Sequence, residues 1–203
     1  MALINHATKE LQVKIVYYGP ALCGKTTNLI KVHENVQTAG EKGKLVSLAT
    51  SSDRTLFFDF LPVQAMAIKG FKTKFQLYTV PGQVIYNTTR QLVLKGVDGV
   101  VFVADSQYDK MAENVESFAN LEENLRAAKL SLDEVPYILQ YNKRDLPNAA
   151  PVEYLEYLLN NREVQVPSFE ASAHECKGVF EGLNMITRML LHKFINQSVS
   201  KAA

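Results

Sequence analysis

The chain has 203 residues, 47% of them hydrophobic and 21% charged, with a formal net charge of +1. It is long enough to bury one α/β core, is too apolar for a disordered segment, and carries no global field that would favour nucleic acid or an acidic membrane. Two cysteines, Cys23 and Cys176, are too few for a disulfide framework and point to a reducing compartment.

In chain order, strand and helix alternate, which predicts a largely parallel sheet covered on both faces. Lys14-Ile15-Val16-Tyr17-Tyr18 reads as a buried strand, with one of the two tyrosines inside and the other facing a later hairpin. It runs into Gly19-Pro20 and a helix from Lys25. Residues 44–49 fit a short strand, and residues 63–80 a hairpin around Lys69-Gly70, since Lys74-Phe75-Gln76-Leu77-Tyr78 alternates polar and apolar. The apolar run Gly99-Val100-Val101-Phe102-Val103-Ala104 is a central parallel strand. Residues 111–128 are helical, with Val115, Phe118, Leu121 and Leu125 at the spacing of a buried stripe. A strand over 137–141, a helix over 152–159 opened by Pro151, a short strand over 167–170 and an amphipathic helix over 179–194 complete the pattern. The helix stripe of Met185, Ile186, Met189 and Leu190 belongs to the core. No linker or repeat interrupts residues 1–203, so one domain is expected, with an extension over residues 1–10 and a frayed tail over 197–203.

Three motifs carry chemistry. Gly19-Pro20-Ala21-Leu22-Cys23-Gly24-Lys25-Thr26 matches G-x-x-x-x-G-K-[ST] between a strand and a helix. In such a loop the backbone N–H groups and the helix N-terminus surround phosphate oxygens. Lys25 then reaches the β- and γ-phosphates, and Thr26 ligates Mg²⁺, with Thr27 beside it. Asn142-Lys143-Arg144-Asp145 follows a strand and selects the base: a carboxylate at Asp145 accepts from guanine N1–H and its exocyclic amine, a pair that adenine lacks. Asn142 braces that loop and the Lys143 stem covers the base. Glu170-Ala171-Ser172-Ala173 adds the Ala173 N–H as a donor to guanine O6, with Ser172 in the same loop. The four histidines, His6, His33, His174 and His192, form no metal-ligand spacing, and Cys23 reads as packed rather than reactive.

In this order, over residues 19–173, the motifs resemble those of the Ras-like small GTPases. The match is closest to the bacterial mutual-gliding protein A (MglA) family. It is carried by Tyr17-Tyr18-Gly19-Pro20, by Asp53-Arg54-Thr55-Leu56-Phe57-Phe58-Asp59-Phe60-Leu61-Pro62, by Tyr78-Thr79-Val80-Pro81-Gly82-Gln83, and by Gly96-Val97-Asp98-Gly99 with the apolar strand and Asp105-Ser106 after it. The resemblance implies a single P-loop G domain that binds GTP or GDP with Mg²⁺ and hydrolyses GTP. It implies that Thr55 reaches Mg²⁺ and the γ-phosphate in the GTP state, that Gly82 senses the γ-phosphate through its N–H, that Gln83 orients the attacking water, and that Arg54 is an arginine supplied in cis. It further implies a register shift of the sheet between the two nucleotide states at the hairpin before Thr79. Family partners are a roadblock-domain activating protein, a response-regulator-like polarity protein and an exchange factor. Without the resemblance, Arg54 reads as a solvated loop charge and Thr55 as a helix cap.

Two positions depart from the Ras-like pattern. Thr79 stands where Ras-type proteins place an aspartate linked to Mg²⁺ through water, a change shared by MglA-like proteins that implies weaker metal retention. Ala21 stands where both groups usually have glycine, and its methyl lies where the backbone approaches the γ-phosphate. The expectation is therefore a GTP-dependent switch with slow hydrolysis acting in cell polarity or motility; the alternative is a GTP-loaded adaptor with negligible turnover. A small-molecule kinase would share the P-loop but leaves residues 142–145 without a role. No run approaches the roughly 20 apolar residues of a membrane span. No signal peptide or lipidation motif is visible, so a cytoplasmic protein without a membrane anchor of its own is expected, recruited to a pole by partners.

Overall fold

The computed structural model describes residues 3–5, 9–35, 46–49, 55–68, 71–83 and 86–200. Its strands are β1 (Leu3–Asn5), β2 (Glu10–Tyr18), β3 (Val46–Ala49), β4 (Thr55–Ile68), β5 (Phe71–Thr79), β6 (Gly99–Asp105), β7 (Tyr137–Asn142) and β8 (Ser168–Glu170). Its helices are α1 (Lys25–Asn35), α2 (Asn87–Leu94), α3 (Met111–Ala127), α4 (Val152–Leu159) and α5 (Val179–Ser200).

The strands join in the order β3-β4-β5-β2-β6-β7-β8, with β1 paired antiparallel to the start of β2. β5, β2, β6, β7 and β8 run parallel, while β4 is antiparallel to both β3 and β5. The expected mostly parallel α/β sheet is thus present, with three antiparallel pairings, β1–β2, β3–β4 and β4–β5, where one hairpin was expected. The hairpin is longer than its sequence pattern suggested, because β4 begins at Thr55, whose partner is Ala49. Lys69 and Gly70 lie outside the described residues.

β6 and β7 are buried along their whole length, as central strands covered on both faces are, and the polar Gln140 of β7 donates to Asn28 Oδ1 at 2.8 Å. β2 alternates at its start and becomes fully buried over its last four residues. One core, with Tyr18, Phe102, Leu121, Leu125 and Leu155 among its members, lies under α2, α3 and α4. The other, with Tyr17, Val103, Leu29, Ile186 and Leu190, lies under α1 and α5. Successive residues of a strand face opposite sides, so Tyr17 and Tyr18 are both fully buried, one in each core. The reading that turned one of them toward the hairpin is corrected. Met185 and Met189 are partly buried against the α5 core, as their spacing predicted.

The stripe predicted for α3 also needs correction. Phe118, Leu121 and Leu125 face inward, but Val115 is 41% exposed, and the buried face includes Asn114, Ser117 and Asn124. Among the described residues no helix is long and apolar enough to cross a membrane.

Candidate nucleotide-binding site

The C-terminal ends of β2, β5, β6, β7 and β8 meet at one edge of the sheet, where open parallel sheets bind ligands. Residues 19–24 leave β2 there and enter α1 at Lys25. Leu22 takes a left-handed conformation with φ 61° and is 71% exposed. For a branched side chain that conformation costs on the order of 1–3 kcal/mol, a strain typical of functional loops. Gly24 has φ 103°, and a Cβ on it would lie 2.2 Å from Nδ2 of Asn142. Only glycine fits between the loop and β7.

Lys25 is buried, and its ammonium donates to the carbonyls of Gly19, at 3.0 Å, and of Pro20. It also lies 3.6 Å from Cys23 Sγ. Burial pushes the Cys23 thiol up, with the nearby Lys25 charge opposing, so the thiol stays neutral and packed. Thr26 and Thr27 sit in the first turn of α1 and line a cavity of about 450 Å³ with Ala21, Val80, Gly82 and Gln83. A helix N-terminus beside a lysine and two hydroxyls is a receptacle for phosphate groups.

The Asn142–Asp145 motif is fastened to this loop by one side chain. Asn142, fully buried, donates from Nδ2 to the Cys23 carbonyl at 2.7 Å and accepts the Ala173 N–H on Oδ1 at 2.8 Å. Truncating it would leave a buried carbonyl and a buried N–H unpaired, at about 1–3 kcal/mol each. The Ala173 N–H, expected to donate to guanine O6, is directed in this structure at Asn142 instead. Lys143 has φ 67°, and its ammonium pairs with Asp105 Oδ2 at 2.6 Å. Asp105 is itself held at the end of β6 by Asn114, which exchanges two hydrogen bonds with its backbone. Arg144 reaches Glu170 at 2.9 Å, tying the loop to β8. Asp145 stands exposed at the tip. Ser172 is buried; its Oγ accepts the Glu175 N–H at 3.4 Å.

Gly82 closes the phosphate side. A Cβ built on it would lie 2.3 Å from Ala21 Cα and 2.6 Å from Ala21 N, so the two segments are in direct backbone contact. Thr79, at the end of β5, is fully buried beside Tyr17 in the strand register. Arg54 lies outside the described residues. Thr55 is placed by its backbone at the start of β4. It is not a helix cap.

Sequence reasoning passed over Arg90. It belongs to α2, which was not anticipated because Asn87-Thr88-Thr89 reads as loop. It is the largest fully buried side chain among the described residues. The signal available was indirect: asparagines at 120 and 124, one helical turn apart beside Leu121 and Leu125, imply a buried polar partner.

The sequence model of the Ras family matches residues 14–192. The chain is 54% identical over 191 residues to the mutual gliding-motility protein MglA of Myxococcus xanthus (strain DK1622), covering 94% of this chain and 96% of that protein. It is also 24% identical over 181 residues to the Ras-related protein Rab-13 of Rattus norvegicus and 25% identical to that of Bos taurus, covering 89% of this chain and 80% of each. A P-loop joined to a guanine-type base motif at the switch edge of a parallel sheet, matched by a family model over most of its length, makes the chain a member of the Ras family, an MglA-like small GTPase.

Proposed function

We propose that the chain is a molecular switch that binds Mg·GTP, hydrolyses it slowly to GDP, and acts through effectors of its GTP form. The observation that carries this reading is the Asn142 tether, which joins the phosphate loop at Cys23 to the base-side loop at Ala173 in one site. In it, Gly19, Ala21, Leu22, Cys23, Gly24, Lys25, Thr26 and Thr27 surround the phosphates. Asp145 reads guanine, Lys143 covers the base, and Ser172 and Ala173 flank O6. The Ala173 N–H would share itself between Asn142 and O6, or exchange one for the other.

The donor set suits Mg²⁺, a hard cation that takes one or two protein oxygens and completes its shell with phosphate and water. Thr26 and Thr55 would supply those oxygens. Thr79 in place of a carboxylate leaves the ion more dependent on the nucleotide. Bound Mg²⁺ would neutralise charge on the phosphates. Gln83 orients the attacking water, Gly82 donates its N–H to the γ-phosphate, and Arg54 stabilises charge in the transition state. Slow turnover is supported by the contact between Ala21 and Gly82, which sets a methyl-bearing residue where Gln83 must approach.

A role in motility or polarity is supported by the likeness to a gliding-motility protein. With it would come a roadblock-domain activating protein, a response-regulator-like partner, and recruitment to a cell pole from the cytoplasm. Single-turnover phosphate release tests the reading. Wild type should release phosphate from GTP near 10⁻⁴–10⁻³ s⁻¹, the range of small GTPases without an engaged arginine, and Gln83→Ala should be slower still. GTP binding without measurable release would favour the adaptor; equal use of ATP would overturn guanine specificity.

A further inference from the structure

Arg90 carries a positive charge into the interior between α2, α3 and the end of β5. It is 2% exposed, and among the described residues no carboxylate lies within ion-pair distance of it. A buried cation with no carboxylate in contact is stabilised by well-directed acceptors, and here two of them are consecutive backbone carbonyls, while Glu113, Glu116 and Glu123 line the same cavity. Nε donates to the Pro81 carbonyl at 2.9 Å and one terminal nitrogen to the Gly82 carbonyl at 2.6 Å. The other terminal nitrogen donates to Asn120 Oδ1 at 2.6 Å, and the guanidinium lies over the Tyr18 ring, 5.7 Å from its centroid.

A trans peptide sets its C=O and N–H in opposite directions. Holding the Pro81 carbonyl therefore aims the Gly82 N–H away from Arg90, and holding the Gly82 carbonyl does the same for the Gln83 N–H. Gly82 and Gln83 line two cavities. One is the phosphate-side cavity with Lys25 and Thr26; the other, of about 560 Å³, lies toward α3 and includes Arg90. Pro20 and Ala21 border the second cavity too, so the segment lies between the two, with the guanidinium on its α3 side and Lys25 and Thr26 on the other.

We propose that Arg90 is a positioning residue for GTP sensing and hydrolysis: it fixes two successive peptide planes so that the Gly82 N–H and the Gln83 side chain address the γ-phosphate. The rigid fork is required because two carbonyls and an amide oxygen must be met at once, which a lysine ammonium on a flexible stem does not reproduce. Asn120 sets the fork. Its Oδ1 accepts from both Arg90 and the Tyr18 hydroxyl, the latter at 2.6 Å, and its Nδ2 donates to Asn87 Oδ1 at 3.2 Å. Switch backbone, β2 and α3 therefore share one polar network.

This inference rests on the guanine-nucleotide reading, and the test separates the two. Affinities for Mg·GDP and for a slowly hydrolysed Mg·GTP analogue, with single-turnover hydrolysis, are measured for wild type, Arg90→Lys and Asn120→Ala. Arg90→Lys should keep GDP affinity within about twofold. It should lose roughly 10–100-fold in preference for the GTP analogue, the worth of one charge-assisted hydrogen bond, and hydrolyse at least tenfold more slowly. Asn120→Ala should shift both quantities the same way by less, since both backbone bonds remain. A residue that merely stabilised the fold would weaken GDP and GTP analogue together. An unchanged GTP-to-GDP ratio in the variants that fold overturns the positioning role. Wild type that binds neither nucleotide overturns the reading beneath it.

Discussion

At the ends of β7 and β8, side chains fasten loop to loop: Asn142 to the phosphate loop, Lys143 to Asp105, and Arg144 to Glu170. At the end of β5 the arrangement is reversed, because Arg90 grips the backbone of Pro81 and Gly82 while Ala21 presses from the other side. The first region is built to hold one geometry whatever lies at the γ-position. The second is held through two carbonyls, each tied to the N–H across its own peptide plane, so the direction of those N–H groups depends on whether the Arg90 bonds are kept. A switch needs both: a base site that does not change its affinity, and a sensor that does.

The comparison is broken most severely at the base. Asp145→Asn turns one of the two acceptors facing guanine into a donor and removes the charge from the other, weakening two bonds to a charged acceptor worth about 1.5–3 kcal/mol each. GTP and GDP should then bind roughly 10²–10⁴-fold more weakly, and xanthine nucleotides better, in a competition titration with a fluorescent analogue. Equal loss of all purine nucleotides would mean that Asp145 only shapes the loop.

A smaller effect is expected on the sensing side. Ala21→Gly removes the methyl of the residue whose backbone contacts Gly82 while leaving the base region untouched. If the methyl costs about 2 kcal/mol of transition-state stabilisation, single-turnover hydrolysis should rise roughly thirtyfold. Adding Arg54→Ala should cancel the gain if the arginine is what the methyl obstructs. A glycine variant no faster than wild type would make Ala21 loop filler.

The two regions were also unequally legible in the sequence. Gly24, Lys25 and Thr26 could be placed because a chain wrapping phosphate needs a residue without Cβ, a cation and a hydroxyl at fixed spacing. Asn142 was read as a brace from its place in the Asn142–Asp145 motif, though its partner at Cys23 is 119 positions away. The sensing side was read only through family likeness. α2 was missed because Asn87, Thr88 and Thr89 favour loops and caps over helix interiors. Val115 was drawn inward by periodicity, whereas α3 buries Asn114 and Asn124 to meet β6 and the Arg90 network. Apolar spacing is blind to a helix face that buries polar groups satisfied from another element.

A switch built this way has one region that stays and one that responds, and amide hydrogen exchange of the GDP-bound and GTP-analogue-bound protein tests that directly. Protection should differ between the two states over residues 55–83, Gly82 and Gln83 included, while residues 137–145 and 171–173 remain alike. Equal protection throughout residues 55–83, or a change confined to the base side, would contradict it.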